Sequence, residues 1–191
     1  MSTENQSVCA VVVAAGSSRR MGGENKLLLP LCGKPVLAHT LTAFQMCGAV
    51  RDIVLVCREQ DMEVYRTLAA ENGITKLRTL TRGGDTRTES VLAGVSAASE
   101  ACALVAVHDG ARPLVSDEVI TQAVAEAAKT GAAAPVVPVK DSIKRIENGK
   151  IAADVPRDTL AAVQTPQVFR RDMLLHALLD AAANGRSFTD D

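Results

Sequence analysis

The sequence predicts an α/β fold, a doubly wound and mostly parallel sheet with helices on both faces. Short apolar runs alternate along the chain with longer segments of helical character. Several runs are continuously apolar, for example VCAVVVAA and IVLVC, as expected of parallel strands whose two faces are both covered. Polar loops follow several of these runs, and ligands of such folds bind beyond the carboxyl ends of the strands. The whole chain, 1–191, is expected to form one domain.

Predicted strands and helices alternate in chain order, which favours right-handed crossover connections. The predicted strands are Val8–Ala14, Ile53–Cys57, Leu77–Thr81, Ala103–Val107 and Ala132–Val139. The predicted helices are Pro35–Cys47, Gln60–Glu71, Thr86–Ala98, Asp117–Lys129 and Arg171–Asn184, the last of which ends at Gly185.

The composition argues against several classes of partner. The net charge is −1, and the chain contains three Phe, one Tyr and no Trp. Neither a general attraction for nucleic acid nor a base-stacking surface is therefore expected. No apolar run approaches the ~20 residues that span a bilayer, and the polar amino terminus lacks signal-peptide character, so we predict a cytoplasmic protein without membrane contact. The five cysteines include no C-x-x-C pair and are expected to be buried, reduced thiols.

The loop after the first predicted strand has the composition of a phosphate-binding loop. Gly16 ends the apolar run, and small and basic residues continue to Lys26. Small residues let backbone N–H groups point at an anion, and Arg20 and Lys26 supply positive charge for polyphosphate oxygens. The alternative is a solvated basic loop. Neither G-x-G-x-x-G nor G-x-x-x-x-G-K-[ST] is present, so an NAD-dependent Rossmann enzyme is not favoured.

This loop also carries a family resemblance. The segment AAGSSRRMGGENK, followed by Gly33-Lys34-Pro35, resembles the signature of sugar-phosphate nucleotidyltransferases and, more narrowly, of 2-C-methyl-D-erythritol 4-phosphate cytidylyltransferases. The resemblance implies a Rossmann-like nucleotidyltransferase fold. It implies an enzyme that joins CTP to a small phosphorylated polyol and releases pyrophosphate, with Mg²⁺ or another divalent cation. Arg20 and Lys26 would then be catalytic, because they stabilise charge on the α-phosphoryl group.

A second loop, in the segment TRGGDTRTESV, is similar to the cytidine-recognition stretch of that family. The resemblance assigns nucleotide binding to residues of the first and second loops, namely Ala14, Ala15, Gly16, Gly84, Asp85 and Ser90. The alternative is a Gly-Gly turn in which Asp85 or Thr86 caps the following helix.

A third loop, VHDGARP, places a carboxylate at the end of a predicted strand. In the family that it resembles, Asp109 would bind the metal ion and Arg112 the acceptor substrate. The alternative is that Asp109 is a cap or an ion-pair partner of Arg112. His108 is expected to be structural.

The segment KDSIKRIENGKI, residues 140–151, alternates polar and apolar residues around Asn148-Gly149, which predicts a β-hairpin. A surface hairpin is one interpretation. The family resemblance implies instead a projecting arm, 140–164, that reaches a second subunit, and hence a homodimer. It assigns acceptor binding to Arg112, Ser142, Arg157, Thr165 and Thr189, of which Thr165 lies in a T-P-Q motif and Thr189 in a T-D-[DE] motif.

After the T-D-[DE] motif, the family continues with a segment that supplies a phosphate-binding lysine and a second metal-binding aspartate. We expect this chain to lack that segment. Two alternatives to a methylerythritol-phosphate enzyme stay open. One is a ribitol-phosphate cytidylyltransferase, because its nucleotide side would look alike. The other is a nucleotide-binding module without turnover, because the later segment is expected to be missing.

Overall fold

The computed structural model of the protein describes residues 7–16, 24–186 and 188. Its strands are β1 (Val8–Val13), β2 (Pro30–Leu31), β3 (Lys34–Pro35), β4 (Val50–Cys57), β5 (Leu77–Arg82), β6 (Leu104–Asp109), β7 (Ala132–Ala133), β8 (Val136–Pro138), β9 (Ile143–Glu147), β10 (Lys150–Val155), β11 (Ala161–Val163) and β12 (Gln167–Arg170). Its helices are α1 (Val36–Met46), α2 (Met62–Glu71), α3 (Arg87–Ser96), α4 (Asp117–Thr130) and α5 (Arg171–Ala183). Short 3₁₀ turns occupy Glu59–Asp61 and Arg157–Thr159.

Six strands form a central sheet in the order β5-β4-β1-β6-β12-β7. The first four strands of that order are parallel, so that Val11 of β1 lies between Val54 of β4 and Val107 of β6. β12 is antiparallel to both β6 and β7. The predicted doubly wound, mostly parallel α/β sheet is confirmed.

Helices cover both faces of the sheet, because alternate residues of its central strands point to opposite sides. On one face, Val12 of β1 belongs to a buried cluster with residues of α1, α2 and α4. On the other face, Val11 belongs to a cluster with residues of α3 and α5. Full burial of each such aliphatic side chain contributes ~1.5–3 kcal/mol. β1 is thus the centre of the core, and its carboxyl end is rigidly placed.

Two features of the sheet differ from the sequence prediction. The segment Ala132–Val139, predicted as one strand, is broken into β7 in the central sheet and β8 outside it. Pro135 and Pro138 have no N–H for a continuous ladder, and β8 pairs instead with β11. β12 lies between β6 and β7 and completes the sheet there. It was not predicted, because its four residues are too few to show a clear hydrophobic pattern.

The predicted hairpin is present as a projecting arm. β9 and β10 pair antiparallel around Asn148 and Gly149, whose φ angles of 49° and 75° are those of a type I′ turn. Below this hairpin, β8 and β11 form a second two-stranded ribbon. The cross-strand pair Ile146 and Ile151 is 57% and 69% exposed, so the arm shows apolar surface to its surroundings.

Four of the five cysteines are buried and all five are free thiols. Cys32 is the exception to the expected burial, because it is exposed in the turn between β2 and β3. Within the described part of the chain, no helix is long and apolar enough to cross a membrane.

Candidate active site

A cavity of about 920 Å³ opens at the carboxyl ends of the parallel strands. The loops that follow β1, β4, β5 and β6 all contribute to its wall, as expected for a doubly wound sheet. The predicted site residues that line it are Ala14, Ala15, Gly16, Lys26, Gly84, Asp85, Ser90, Asp109 and Arg112.

The other predicted site residues lie elsewhere. Within the described part of the chain, Ser142, Arg157 and Thr165 are not among the residues that line this cavity. Ser142 and Arg157 are exposed on the arm, and Thr165 is buried at its foot. Arg20 and Thr189 lie outside the described residues, so their predicted roles stay predictions.

Lys26 is held at the edge of the cavity by its two neighbours in the chain. Leu27 is buried in the core, and its backbone N–H donates to Asn25 Oδ1 at 3.2 Å. Asn25 Nδ2 in turn donates to the Tyr65 hydroxyl of α2 at 2.9 Å. Burial raises the pKa of Tyr65 to about 12, so the phenol stays neutral. The lysine therefore enters the cavity from a segment that is anchored to a helix of the core.

The loop after β5 is held by a capping box at the start of α3. Thr86 Oγ1 accepts from the backbone N–H of Glu89 at 3.1 Å. The Glu89 carboxylate accepts from the backbone N–H groups of Thr86 and Asp85, at 3.0 Å and 2.7 Å, and these bonds lower the pKa of Glu89. The helix cap expected in the alternative interpretation is thus present, with Thr86 as the capping residue. The loop that ends in this cap also lines the cavity.

Gly83, which was not predicted as a site residue, packs this loop against the loop after β1. A Cβ at Gly83 would lie 2.5 Å from Ala15 Cβ and 2.8 Å from Ser90 Oγ. Ser90 is buried, and its hydroxyl donates to the carbonyl of Thr86 at 2.9 Å. There is no room for a side chain at position 83, so the backbone of Gly83 packs directly against Ala15 and Ser90.

Asp109, at the end of β6, is bound by two arginines. Its Oδ1 accepts from Arg87 Nη1 at 2.9 Å, and its Oδ2 accepts from Arg112 Nε at 2.8 Å. Partial burial would raise the pKa of this carboxyl, but the hydrogen bonds from Arg112 and Arg87 outweigh it and hold the pKa below its usual value. Arg87 was missed as a site residue, although it lies in the TRGGDTRTESV segment on which the second predicted loop was based.

His108 fixes the loop that carries Arg112. The imidazole is fully buried and packs edge-on against Phe44 at 4.9 Å between ring centroids. Its Nε2 lies 3.1 Å from the Arg112 carbonyl oxygen, and its Nδ1 lies 2.9 Å from Thr165 Oγ1. Because a carbonyl can only accept, Nε2 carries the proton and Nδ1 accepts from the Thr165 hydroxyl. Burial lowers the pKa of His108 to about 4, so the ring is neutral in this role. The predicted structural role of His108 is confirmed.

A metal site made by the protein alone needs several ligating side chains close together. No group of three or more His, Cys, Asp or Glu side chains among the described residues is placed to hold a metal ion. Both oxygens of Asp109 accept from guanidinium groups, and each keeps a second lone pair. The ion pair with Arg112 that the alternative interpretation expected is thus present. The role of Asp109 as a metal ligand, implied by the family resemblance, stays a prediction.

Comparison with known proteins gives the family. Residues 8–191 match the family described as "IspD: 2-C-methyl-D-erythritol 4-phosphate cytidylyltransferase". The chain belongs to this family. A cytidylyltransferase of that name from Dehalococcoides mccartyi is 43% identical over 174 residues, which are 91% of this chain and 76% of the relative. One from Bacillus licheniformis is 44% identical over 182 residues, covering 95% of this chain and 78% of the relative.

Solved structures of the family share the fold. The 4-diphosphocytidyl-2C-methyl-D-erythritol synthase from Anaerococcus prevotii matches with a TM-score of 0.86 at 26% identity, over 98% of this chain and 80% of that one. The 2-C-methyl-D-erythritol 4-phosphate cytidylyltransferase from Thermus thermophilus matches with a TM-score of 0.72 at 30% identity, over 95% and 79%. The predictions of a nucleotidyltransferase fold and of an enzyme are confirmed. All four relatives are named for methylerythritol, which favours that acceptor over ribitol phosphate.

The buried neutral His108 predicts a pH dependence of stability. The unfolded chain gains a proton at His108 near pH 6.5, whereas the folded protein gains it only near pH 4. The free energy of unfolding should therefore fall by ~2 kcal/mol between pH 7 and pH 5, which urea unfolding would measure. His108→Gln should remove most of this slope. His176→Gln, at an exposed position of α5, should keep it. Equal slopes in both variants would contradict the assignment.

The close approach at Gly83 predicts the effect of a single added methyl group. Gly83→Ala should lower the free energy of unfolding by ~1–3 kcal/mol, because the new Cβ must push Ala15 and Ser90 apart. Gly48→Ala is the matched control, since a Cβ at Gly48 meets no atom within 4 Å. Chemical unfolding of the two variants tests this. A Gly83→Ala protein as stable as Gly48→Ala would show that the loops are not in contact.

Proposed function

We propose that this chain joins CTP and 2-C-methyl-D-erythritol 4-phosphate to give CDP-methylerythritol and pyrophosphate, a step of the non-mevalonate route to isoprenoids, in the cytoplasm. The proposal is carried by one observation. A member of the cytidylyltransferase family has its predicted nucleotide-binding loops and an arginine cluster on the wall of a single cavity.

The loops after β1 and β5 are the proposed nucleotide subsite. Cytosine presents an amino donor beside two acceptors, and backbone carbonyls of the loop after β5 are proposed to accept from the amino group. The close contact of Gly83 with Ala15 keeps the two loops at a fixed spacing around the base. Lys26 enters the same cavity and supplies positive charge for the triphosphate. Arg20 is proposed to act with it on the α-phosphoryl group.

Arg112 is the proposed anchor for the phosphate of the acceptor. Arg112 and Arg87 carry two positive charges against the one negative charge of Asp109, so the cluster keeps a net charge of about +1 for an anion. A phosphate monoester is already ionised at neutral pH. One of its oxygens attacks the α-phosphorus of CTP, the bond to the β-phosphate oxygen breaks, and pyrophosphate leaves. No general base is needed, and positioning and charge stabilisation provide the catalysis.

Magnesium is proposed to enter with CTP. Triphosphate oxygens are hard ligands that bind Mg²⁺ in water, so the ion is part of the substrate and needs few protein carboxylates. This proposal fits an Asp109 whose two oxygens are bound to arginines. The dependence of the reaction on a divalent cation stays a prediction.

A homodimer formed through the arm, 140–164, is proposed from the position of two acceptor-binding residues. Ser142 and Arg157 are exposed on the arm, away from the lining of the cavity of their own chain. Arg157 Nη1 donates to the Lys140 carbonyl at 2.6 Å, which holds the guanidinium against the foot of the hairpin. The exposed apolar pair Ile146 and Ile151 provides surface that a second subunit would cover.

Release of pyrophosphate from Mg·CTP tests the proposed reaction. The wild-type chain should turn over with methylerythritol phosphate and much less with ribitol phosphate.

Lys26→Ala should lower turnover by ~10²–10³, the usual effect of removing one preorganised donor of this kind. CTP binding measured by calorimetry without pyrophosphate release would favour the binding-module alternative. Lys129→Ala, an exposed lysine on α4 paired with Glu126, is the control and should be near wild type. Near-normal turnover of Lys26→Ala would refute its role.

A mixed dimer tests whether the arm serves the partner's site. Lys26→Ala and Arg157→Ala should each be nearly inactive alone, because each removes a residue of every site. If arms cross, a mixed dimer has one site with both residues intact, and mixing the proteins after subunit exchange should restore about a quarter of wild-type activity. If each arm serves its own chain, mixing restores nothing. The mass of the assembly in solution, measured by light scattering, provides the control for dimer formation.

A further inference from the structure

The arm is joined to the core at Gln164 and Thr165, which follow β11 directly. The backbone N–H of Gln164 donates to the carbonyl of Pro135 at 2.8 Å, so the two sides of the arm are tied together at this level. Gln164 is half-buried and Thr165 is buried. The foot of the arm is therefore a fixed part of the fold.

Both residues of this foot hold Arg112. One fixes its backbone carbonyl and the other its guanidinium group. Thr165 acts through His108, whose Nε2 binds the Arg112 carbonyl oxygen. Gln164 acts directly, because Arg112 Nη1 donates to Gln164 Oε1 at 2.5 Å. On the neighbouring edge of the same guanidinium, Nε donates to Asp109 Oδ2 at 2.8 Å.

We propose that Gln164 is a positioning residue that orients the Arg112 guanidinium for the acceptor phosphate and ties that orientation to the foot of the arm. The proposal rests on the proposed function of Arg112. A guanidinium is planar, so two hydrogen bonds on adjacent edges fix both the position and the plane of the group. Its remaining N–H groups are those that an acceptor phosphate would meet.

The chemistry of the amide suits this task. Asp109 holds the guanidinium with a negative charge, which Arg87 shares. A second carboxylate at position 164 would cancel the remaining positive charge of the cluster and repel a phosphate. The amide oxygen of Gln164 accepts the hydrogen bond without adding charge, so the arginine is both fixed and cationic.

Kinetics of Gln164→Met, which keeps the length of the side chain and removes the oxygen, test the proposal. The KM for the acceptor phosphate should rise at least tenfold, as expected on losing a hydrogen bond to a charged group, while the KM for CTP stays within about twofold. In an Arg112→Leu background the same change should have no further effect on the acceptor KM. Gln122→Met, at an exposed position of α4, is the matched control and should resemble wild type. An unchanged acceptor KM, an equal rise in both KM values, or a full effect without Arg112 would overturn the proposal.

Urea unfolding of wild type, the two single variants and the double variant separates this proposal from the proposed function. Coupling between Gln164→Met and Arg112→Leu should change the unfolding equilibrium constant at least fivefold beyond the product of the single effects. A chain that shows this coupling but turns over no acceptor would refute the function while supporting the contact. Purely additive effects would overturn the positioning role of Gln164, whatever the activity.

Discussion

Parallel pairing of β5, β4, β1 and β6 is the constraint on which the rest of the structure depends. Four parallel strands end at the same edge, so loops that are far apart in sequence must meet there. β1 lies inside this group and is buried on both faces, which leaves its carboxyl end little freedom to shift. The contact between Ala15 and Gly83 and the position of Asp109 beside them both follow from this arrangement.

Charge at this edge is organised around a half-buried carboxylate. Asp109 would be costly in this position without a partner, and Arg87 and Arg112 compensate for its lost hydration. The same contacts hold two guanidinium groups of the site in place before any substrate binds. With two guanidinium groups against one carboxylate, the cluster has a net charge of about +1.

Much of this molecule could be predicted from the sequence. Continuous apolar runs identified the parallel strands, and the loops after them contained Lys26, Asp85 and Asp109, which the fold brings to one cavity. Other features depend on tertiary contacts that leave little trace in a single sequence. β12 has only four residues, and it is a strand because it pairs with β6 on one side and β7 on the other. Arg87 and Gln164 became visible only through their contacts with Asp109 and Arg112.

The capping box of α3 fills the anion site that a free helix N-terminus would offer. A free helix N-terminus attracts phosphate, since its exposed N–H groups and dipole favour negative charge. Here Glu89 already occupies the N–H groups of Thr86 and Asp85 with its own carboxylate, so a triphosphate at this end would face a like charge. Any anion at this edge of the sheet would therefore be bound by side chains such as those of Lys26 and Arg112. A helix cap that stabilises the fold thus also keeps the backbone of this loop from serving as a phosphate site.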